Sequence, residues 1–405
     1  MSEKKKILWI SPYAPYDQVA HAGGKNHNFY IKHFQSKGRF EICLLSLCRE
    51  SEEDKLDLDE YGIRHHIRVM DQGRLRTLKR YALGACSRFN PMDAYGGLHI
   101  HYERLELASL LKTYYKTEEK PDMVILQWTI SLMLAEDVKK YFPQAKLICI
   151  EEDVFFLNYH RRWKNAENAL ARAYWKTHYK RLRAAELHML SLADLVVTNN
   201  PKDTEILKKC GYPADKLFTS VVYFDNYSGV KRPHPCRSRD ILFFGAMSRE
   251  ENYKSALWFI HHVMPLIEDL GCRFVVVGSN PPEVLQKKAG DQVEVTGFVD
   301  SVAPYFENCL CMASPLLGGA GIKVKILEAL SAGVPVLTNQ IGIEGIPAKD
   351  GREYYHCELA EDYEHRIRHL LADPEAEQTM SEAARTFIVS HYDLGRTLDQ
   401  LIDIL

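Results

Sequence analysis

Gly318-Gly319-Ala320-Gly321-Ile322 is followed by Lys323, Lys325 and Glu328, and the helical run they begin is broken by Gly333 and Pro335. A glycine-rich turn that opens a helix presents backbone N–H groups, and two ammonium groups beside them complete a receptor for phosphate. A carboxylate one turn further along can accept two hydrogen bonds from a vicinal diol such as a ribose. Diphosphate and ribose side by side describe a nucleotide or a nucleotide-sugar. A plain βαβ crossover with solvated lysines can carry the same letters. Position along the chain favours the site: residues 309–314 read as a buried strand and 334–338 as the next. The turn then lies at the carboxyl end of a parallel strand, where open α/β sheets bind ligands.

Such a turn needs an array of alternating strands and helices behind it. Residues 6–11, 41–47, 123–127, 146–150, 195–198 and 219–223 read as strands, mostly as continuous apolar runs. That is the pattern of parallel strands covered on both faces. A polar, breaker-rich stretch follows, with Asn226, Ser228, Gly229, Pro233 and Pro235 among basic residues, and reads as a linker. The strand pattern restarts at Ile241–Gly245, Phe274–Gly278 and Val293–Phe298, with helices expected over 252–269 and 359–371. Helical periodicity continues over 376–405 after the second array has ended. The expected fold is α/β, two Rossmann-like doubly wound domains facing a cleft. The expected boundaries are 1–225, a linker at 226–240, 241–385, and a C-terminal helix at 386–405 that packs back on the first domain.

The 405 residues suffice for two cores, and 46% hydrophobic with 26% charged residues is the composition of a globular enzyme. A formal net charge of −2 argues against a dedicated nucleic-acid binder. No apolar run reaches the length of a membrane span. The apolar stretch after Met1-Ser-Glu-Lys-Lys-Lys6 is too short for a signal peptide. Ten cysteines occur without a C-x-x-C pair, and Cys43, Cys149, Cys309 and Cys311 lie inside apparent strands. Buried thiols of this kind suit a reducing compartment, so a cytoplasmic location is expected.

Two basic segments, 74–88 and 159–183, the second rich in aromatics, predict peripheral contact with the inner face of an anionic membrane, against the plainer reading of solvated faces. Asp57-Leu58-Asp59 mimics a metal-binding pair of aspartates but sits in an acidic stretch, so no metal or other cofactor is expected. No carboxylate pair has a spacing that supports glycosidase chemistry.

Several segments carry a resemblance in consistent order. Phe243-Phe-Gly-Ala-Met247 precedes Asn252 and Trp258-Phe259, and Phe274-Val-Val-Val-Gly278 and Val295-Thr-Gly-Phe-Val299 come next, followed by Gly319 to Pro335. In the first half, Ser11-Pro-Tyr13, His21-Ala-Gly-Gly24 and Asp194-Leu-Val-Val-Thr198 with Asp203 add a weaker match. Together they resemble retaining GT-B glycosyltransferases of the glycosyl transferases group 1 family, including mannosyl- and galactosyl-transferases of bacterial surface polysaccharides.

The resemblance implies roles residue by residue. Glu328 aligns with the second glutamate of an E-x7-E signature, which binds the ribose hydroxyls of the donor. Lys325 and Lys323 fall on basic residues near the diphosphate, helped by Arg249. Gly321 would turn its N–H to the phosphate, within a loop that includes Gly319, Ala320 and Ile322. Gly245 and Gly278 would border the donor, and Gly297, Phe298 and Val299 would hold the base. Gly23 and Gly24 would let the first domain's backbone come close to the diphosphate. Glu152 and Asp153 end a strand where many members carry histidine, and either orient the acceptor hydroxyl or the donor sugar, or cap the next helix. His27 and His160 are weaker candidates. Ala320 and Ala246 replace the usual first glutamate and arginine, as in other members with this loop.

The implied activity is metal-independent transfer of a sugar, with retention, from a UDP- or GDP-sugar to a glycan or lipid-linked acceptor in surface polysaccharide or glycoconjugate synthesis. A non-catalytic partner subunit and a nucleotide-sugar epimerase or hydrolase on the same scaffold are the alternatives.

Overall fold

Two all-parallel sheets account for the apolar runs. A computed structural model describes residues 4–19, 21–70, 73, 77–78, 81–82, 100–319 and 321–405. Among the described residues the first sheet contains Lys5–Ser11 (β1), Phe40–Arg49 (β2), Arg64–Met70 (β3), Met123–Gln127 (β4), Lys146–Glu151 (β5), Leu195–Thr198 (β6) and Leu217–Thr219 (β7). Their spatial order is β3-β2-β1-β4-β5-β6-β7. The second contains Asp240–Phe244 (β8), Arg273–Val277 (β9), Val293–Gly297 (β10), Cys311–Ser314 (β11), Val336–Thr338 (β12) and Tyr355–His356 (β13), in the order β10-β9-β8-β11-β12-β13. Each sheet therefore reverses its winding once, between β1 and β4 and between β8 and β11. The carboxyl ends of those strands are where a doubly wound sheet offers a ligand crevice.

Some elements differ from expectation. β3 escapes the apolar pattern because Arg64-His-His-Ile-Arg-Val-Met70 is an edge strand, partly exposed along its length. The strand expected at 219–223 lies at Leu217–Thr219. The helix expected over 252–269 runs Glu250–His262 and then tightens into a 3-10 turn, Met264–Leu270, where Pro265 removes a donor. The helical stretch over 376–405 is two helices, Pro374–His391 and Leu394–Ile404.

The chain divides into two compact units, Met1–Val221 with Leu394–Leu405, and Val222–Asp393. Residues 386–391 thus complete a helix of the second unit, and only the last helix belongs to the first. That helix buries Leu394, Leu398, Leu401 and Ile402. Lys5 and Lys146 donate to the carbonyls of Leu405 and Ile404, each at 3.0 Å, and Asp399 accepts from His33 at 2.8 Å.

The supposed linker is an ordered strap on the second unit. Arg232 pairs with Glu377 at 2.9 Å, both side chains at least 95% buried, while Arg385 donates to the carbonyls of Ser228 and Val230 at 2.7 Å.

Among the described residues no helix is long and apolar enough to cross a membrane. Most of the basic segment 74–88 lies outside the described residues. The other segment occupies the helices Phe156–Lys164 and Ala169–Ser191.

Candidate functional site

At the switch of the second sheet the strand-end glycines gather. β8 and β9 run into Gly245 and Gly278, and β10 ends at Gly297. Gly245 donates to the carbonyl of Val277 at 3.0 Å, and Gly278 to that of Gly297 at 2.9 Å. A Cβ on Gly278, where φ is +152°, would lie 1.7 Å from the Gly245 carbonyl oxygen. Only glycine permits this approach.

Lys325 reaches the same place from the helix Val324–Ser331, which anchors itself by burying Ile326, Leu327 and Leu330. Its ammonium donates to Asn252 Oδ1 at 2.7 Å and sits 4.7 Å from the centre of the Phe243 ring. It is also 2.9 Å from where a Cβ on Gly245 would stand. Asn252 donates from Nδ2 to the Ala246 carbonyl at 2.9 Å, which leaves its side-chain oxygen for the lysine. The end of β8 and the first turns of two helices therefore converge on one cation.

Burial of this ammonium among apolar and peptide groups pushes its pKa down to about 7. Glu328 and then Glu251 draw it back up, while Arg249 and Lys323 oppose protonation. The residue as a whole is half-buried.

Lys323 does something different. It occupies the N-cap position of the Val324–Ser331 helix, whose start no side chain caps. Its ammonium donates to the Gly321 carbonyl at 2.6 Å and stands 3.8 Å from Glu344. Gly319 and Gly321 adopt φ of +117° and +69°, and a Cβ on Gly319 would press on Lys323 Cε at 3.1 Å. Within the chain the two ammonium groups have different partners: Lys323 braces its own loop and Lys325 faces β8. Residues two apart at a helix start point in different directions.

Ile322 packs toward Gly345, and Ala320 lies outside the described residues. Glu328, one turn beyond Lys325, is close enough to raise the pKa of both Lys325 and Tyr227. Arg249 is the exposed N-cap residue of the helix Glu250–His262. Phe298 is 75% exposed at the end of β10, with Val299 half-buried beside it.

In the first unit, the carboxyl edge near the β1–β4 switch carries a polar cluster. Glu152 follows β5 and accepts from Gln127 Nε2 at 2.6 Å, Asn199 Nδ2 at 2.7 Å and Asn26 Nδ2 at 3.1 Å. All three donors are neutral amides. Burial pushes the Glu152 pKa up to about 7 against their pull, while the exposed Asp153 adds like charge. Capping of the helix after β5 falls instead to Glu186, which accepts from the N–H groups of Phe155 and Phe156 at 2.8 and 3.0 Å.

Beside this cluster Trp128 adopts φ of +67°, a costly conformation for a side-chain-bearing residue. Its ring lies 5.2 Å from those of both Tyr13 and His27. The space left by Gly23 faces the Trp128 ring, 3.3 Å from a Cβ placed there, and that left by Gly24 is taken by Val19 and His21. Both glycines thus face the chain's own side chains, and a Cβ on Gly24 would lie only 2.5 Å from Val19 Cγ2. Burial pushes the His27 pKa down to about 3, so its imidazole is neutral. His160 packs against Trp163 and Tyr179. Asp57 pairs with Lys32 at 2.8 Å while Asp59 points to solvent.

Sequence reasoning gave no role to Gln127, Asn26, Asn199 or Trp128, and saw Asn252 only as a motif letter. Each stands within two residues of a strand's carboxyl end or in a helix's first turns, the one signal that could have found them.

Strand order, switch-point glycines and the Lys325 constellation define a two-unit α/β protein of the GT-B type. The chain superposes on Anabaena Alr3699/HepE in complex with UDP, with a TM-score of 0.64 at 13% identity, covering 98% of this chain and 99% of that one. It superposes on the sucrose-phosphate synthase (tll1590) of Thermosynechococcus elongatus with a TM-score of 0.67 at 13% identity, covering 99% and 98%. At such identity the likeness is one of fold.

Residues 238–373 match the model of the family described as Glycosyl transferases group 1. A Klebsiella pneumoniae relative, an uncharacterized 44.6 kDa protein in the cps region, is 26% identical over 183 residues. That match covers 42% of this chain and 45% of the relative, so less than half of the relative's length is represented.

Proposed function

We propose that the second unit binds a nucleotide-diphosphate sugar and that the protein transfers the sugar, with retention, to a glycan or lipid-linked acceptor. The observation that carries the reading is the seating of Lys325 between Gly245, Asn252 and the uncapped start of its helix, inside the family-matched stretch. The solved structures of Anabaena HepE with UDP and with UDP-glucose lend support to a UDP-sugar donor. The cps-region relative supports a role in surface polysaccharide synthesis.

In the proposed reaction the bond between the anomeric carbon and the β-phosphate oxygen breaks with oxocarbenium character, and negative charge grows on the departing nucleotide. The Lys325 ammonium and the first N–H groups of its helix meet that charge with donors already in place. Glu328 accepts from the ribose hydroxyls, and the Gly297–Val299 turn borders the base. In the first unit Glu152 is the residue suited to orient an acceptor hydroxyl, because its carboxylate is fixed by three amides yet carries no cationic partner among them.

The test is a panel of UDP- and GDP-sugars measured for binding by thermal shift and for slow hydrolysis, with and without a chelator. One nucleotide-sugar should raise the melting temperature and be turned over in both conditions. Lys325→Ala should lower that turnover by 10² to 10³, about 3–4 kcal/mol of transition-state stabilisation, without lowering the melting temperature of the free protein. No response to any nucleotide-sugar, or turnover by the variant within a few-fold of wild type, sinks the reading.

A further inference from the structure

The helices Phe156–Lys164 and Ala169–Ser191 form a hairpin whose base is buried and whose tip is not. At the base, Leu182, Glu186 and Leu190 are buried. Along its shaft the two helices are joined by aromatic rings, Trp163 stacked on Tyr179 at 5.6 Å and Tyr159 edge-on to Trp175 at 5.7 Å.

Toward the tip the surface becomes strongly cationic. Residues 154–185 hold eight Lys/Arg and one acid, Glu167, although the whole chain carries a net charge of −2. Arg162, Lys164, Arg172, Lys176 and Lys180 are all exposed. Several lie against rings: Arg162 is 4.9 Å from the centre of Trp175, and Lys164 and Lys176 are 5.0 and 5.5 Å from that of Trp163.

Charge alone would describe a solvated face. An apolar stripe beside it changes the reading. Leu170 is 86% exposed and Tyr174 is 36% exposed, and with the exposed Ala173 they share one side of the helix at three- and four-residue spacing. Arg172, Lys176 and Lys180, also four apart, form the neighbouring stripe. A leucine held in water at the end of a hairpin and flanked by cations has the chemistry of an interfacial anchor. The apolar side chains enter the acyl boundary while the cations meet anionic headgroups. A nucleic acid would use the cations and leave Leu170 without a role.

We propose that this hairpin tip docks the protein on an anionic lipid bilayer, Leu170 and Tyr174 inserting and Lys164, Arg172, Lys176 and Lys180 binding the headgroups. The proposal is independent of the donor site, which lies in the other unit.

Flotation of the full chain with vesicles of phosphatidylglycerol and phosphatidylcholine, against pure phosphatidylcholine, tests it. Wild type floats with the anionic vesicles alone, and high salt weakens the association. Arg172→Glu combined with Lys176→Glu lowers partitioning at least tenfold, and Leu170→Asp lowers it several-fold. Since these positions are exposed, both variants keep the wild-type melting temperature and nucleotide-sugar binding. Protein that stays at the bottom of the gradient overturns the proposal, as do variants that float like wild type. Binding to single-stranded RNA without binding to vesicles also overturns it. Self-association that disappears in the charge-reversal variant, with no flotation, does the same. Loss of nucleotide-sugar binding by wild type, with flotation intact, removes the donor reading and leaves this one standing.

Discussion

Lys325 carries a cation where the protein does not favour one. Burial has lowered its pKa to about 7, so near neutrality the unliganded protein is a mixture of amine and ammonium. A pyrophosphate beside it favours the ammonium, and binding above pH 7 therefore takes up a proton. Nucleotide-sugar affinity is expected to fall as pH rises from 7 to 9, by up to about tenfold per unit. The pyrophosphate diester itself does not titrate in that window. Stability of the unliganded protein has the opposite sign. Between the folded pKa and the ordinary lysine value the unfolded chain holds a proton that the folded one lacks, so stability rises with pH there. Lys325→Arg, charged throughout, should flatten the affinity profile. Titration calorimetry across this range checks both chains, and a flat wild-type profile would detach Lys325 from the phosphate.

At this scale the sequence was legible where chemistry depends on residue type along one segment. Lys325, Glu328 and the glycines of their loop could be read in order. What could not be read was direction. Lys323 and Lys325 look equivalent as letters, yet one is spent on the Gly321 carbonyl and the other is presented to β8. Nor could the Glu152 cluster be assembled in advance, because Asn26, Gln127 and Asn199 come from three separate segments that meet only through the sheet.

Elements set how closely the backbone can approach a ligand. β8, β9 and β10 end together in glycines, and the closest contact is between Gly278 and the Gly245 carbonyl. Gly278→Ala must move one strand end or strain φ, costs of about 1–3 kcal/mol each from overpacking and from the backbone. The variant should melt at a lower temperature and bind nucleotide-sugar less tightly, because Gly245 and Asn252, which frame Lys325, shift with it. Gly290→Ala is the control, since its added Cβ meets nothing within 4 Å. Equal melting temperatures for the two variants would show that the strand ends are not tightly coupled. Strands buried on both faces announced themselves as apolar runs, which is why most of the two arrays was legible. β3 did not, since an edge strand with charged side chains has no such run to show.

Across the whole molecule, the order of the chain and the order of its packing differ. The segment read as a linker is held to the second unit by Arg232 and Arg385, so composition misled: Arg232 looks like solvent-facing charge and is an internal tie to Glu377. The last helix does the reverse, leaving the second unit's sequence to complete the first unit's core. Leu398 is fully buried in that helix, and Leu401 and Ile402 nearly so. Leu398→Ala should cost about 2–5 kcal/mol, the range for emptying a buried leucine site, and the loss belongs to the first unit. If the units unfold in separate steps, calorimetry should show one transition shifted down and the other unmoved, with nucleotide-sugar protecting only the unmoved one. A shift confined to the nucleotide-protected transition would mean that the helix supports the second unit's stability instead.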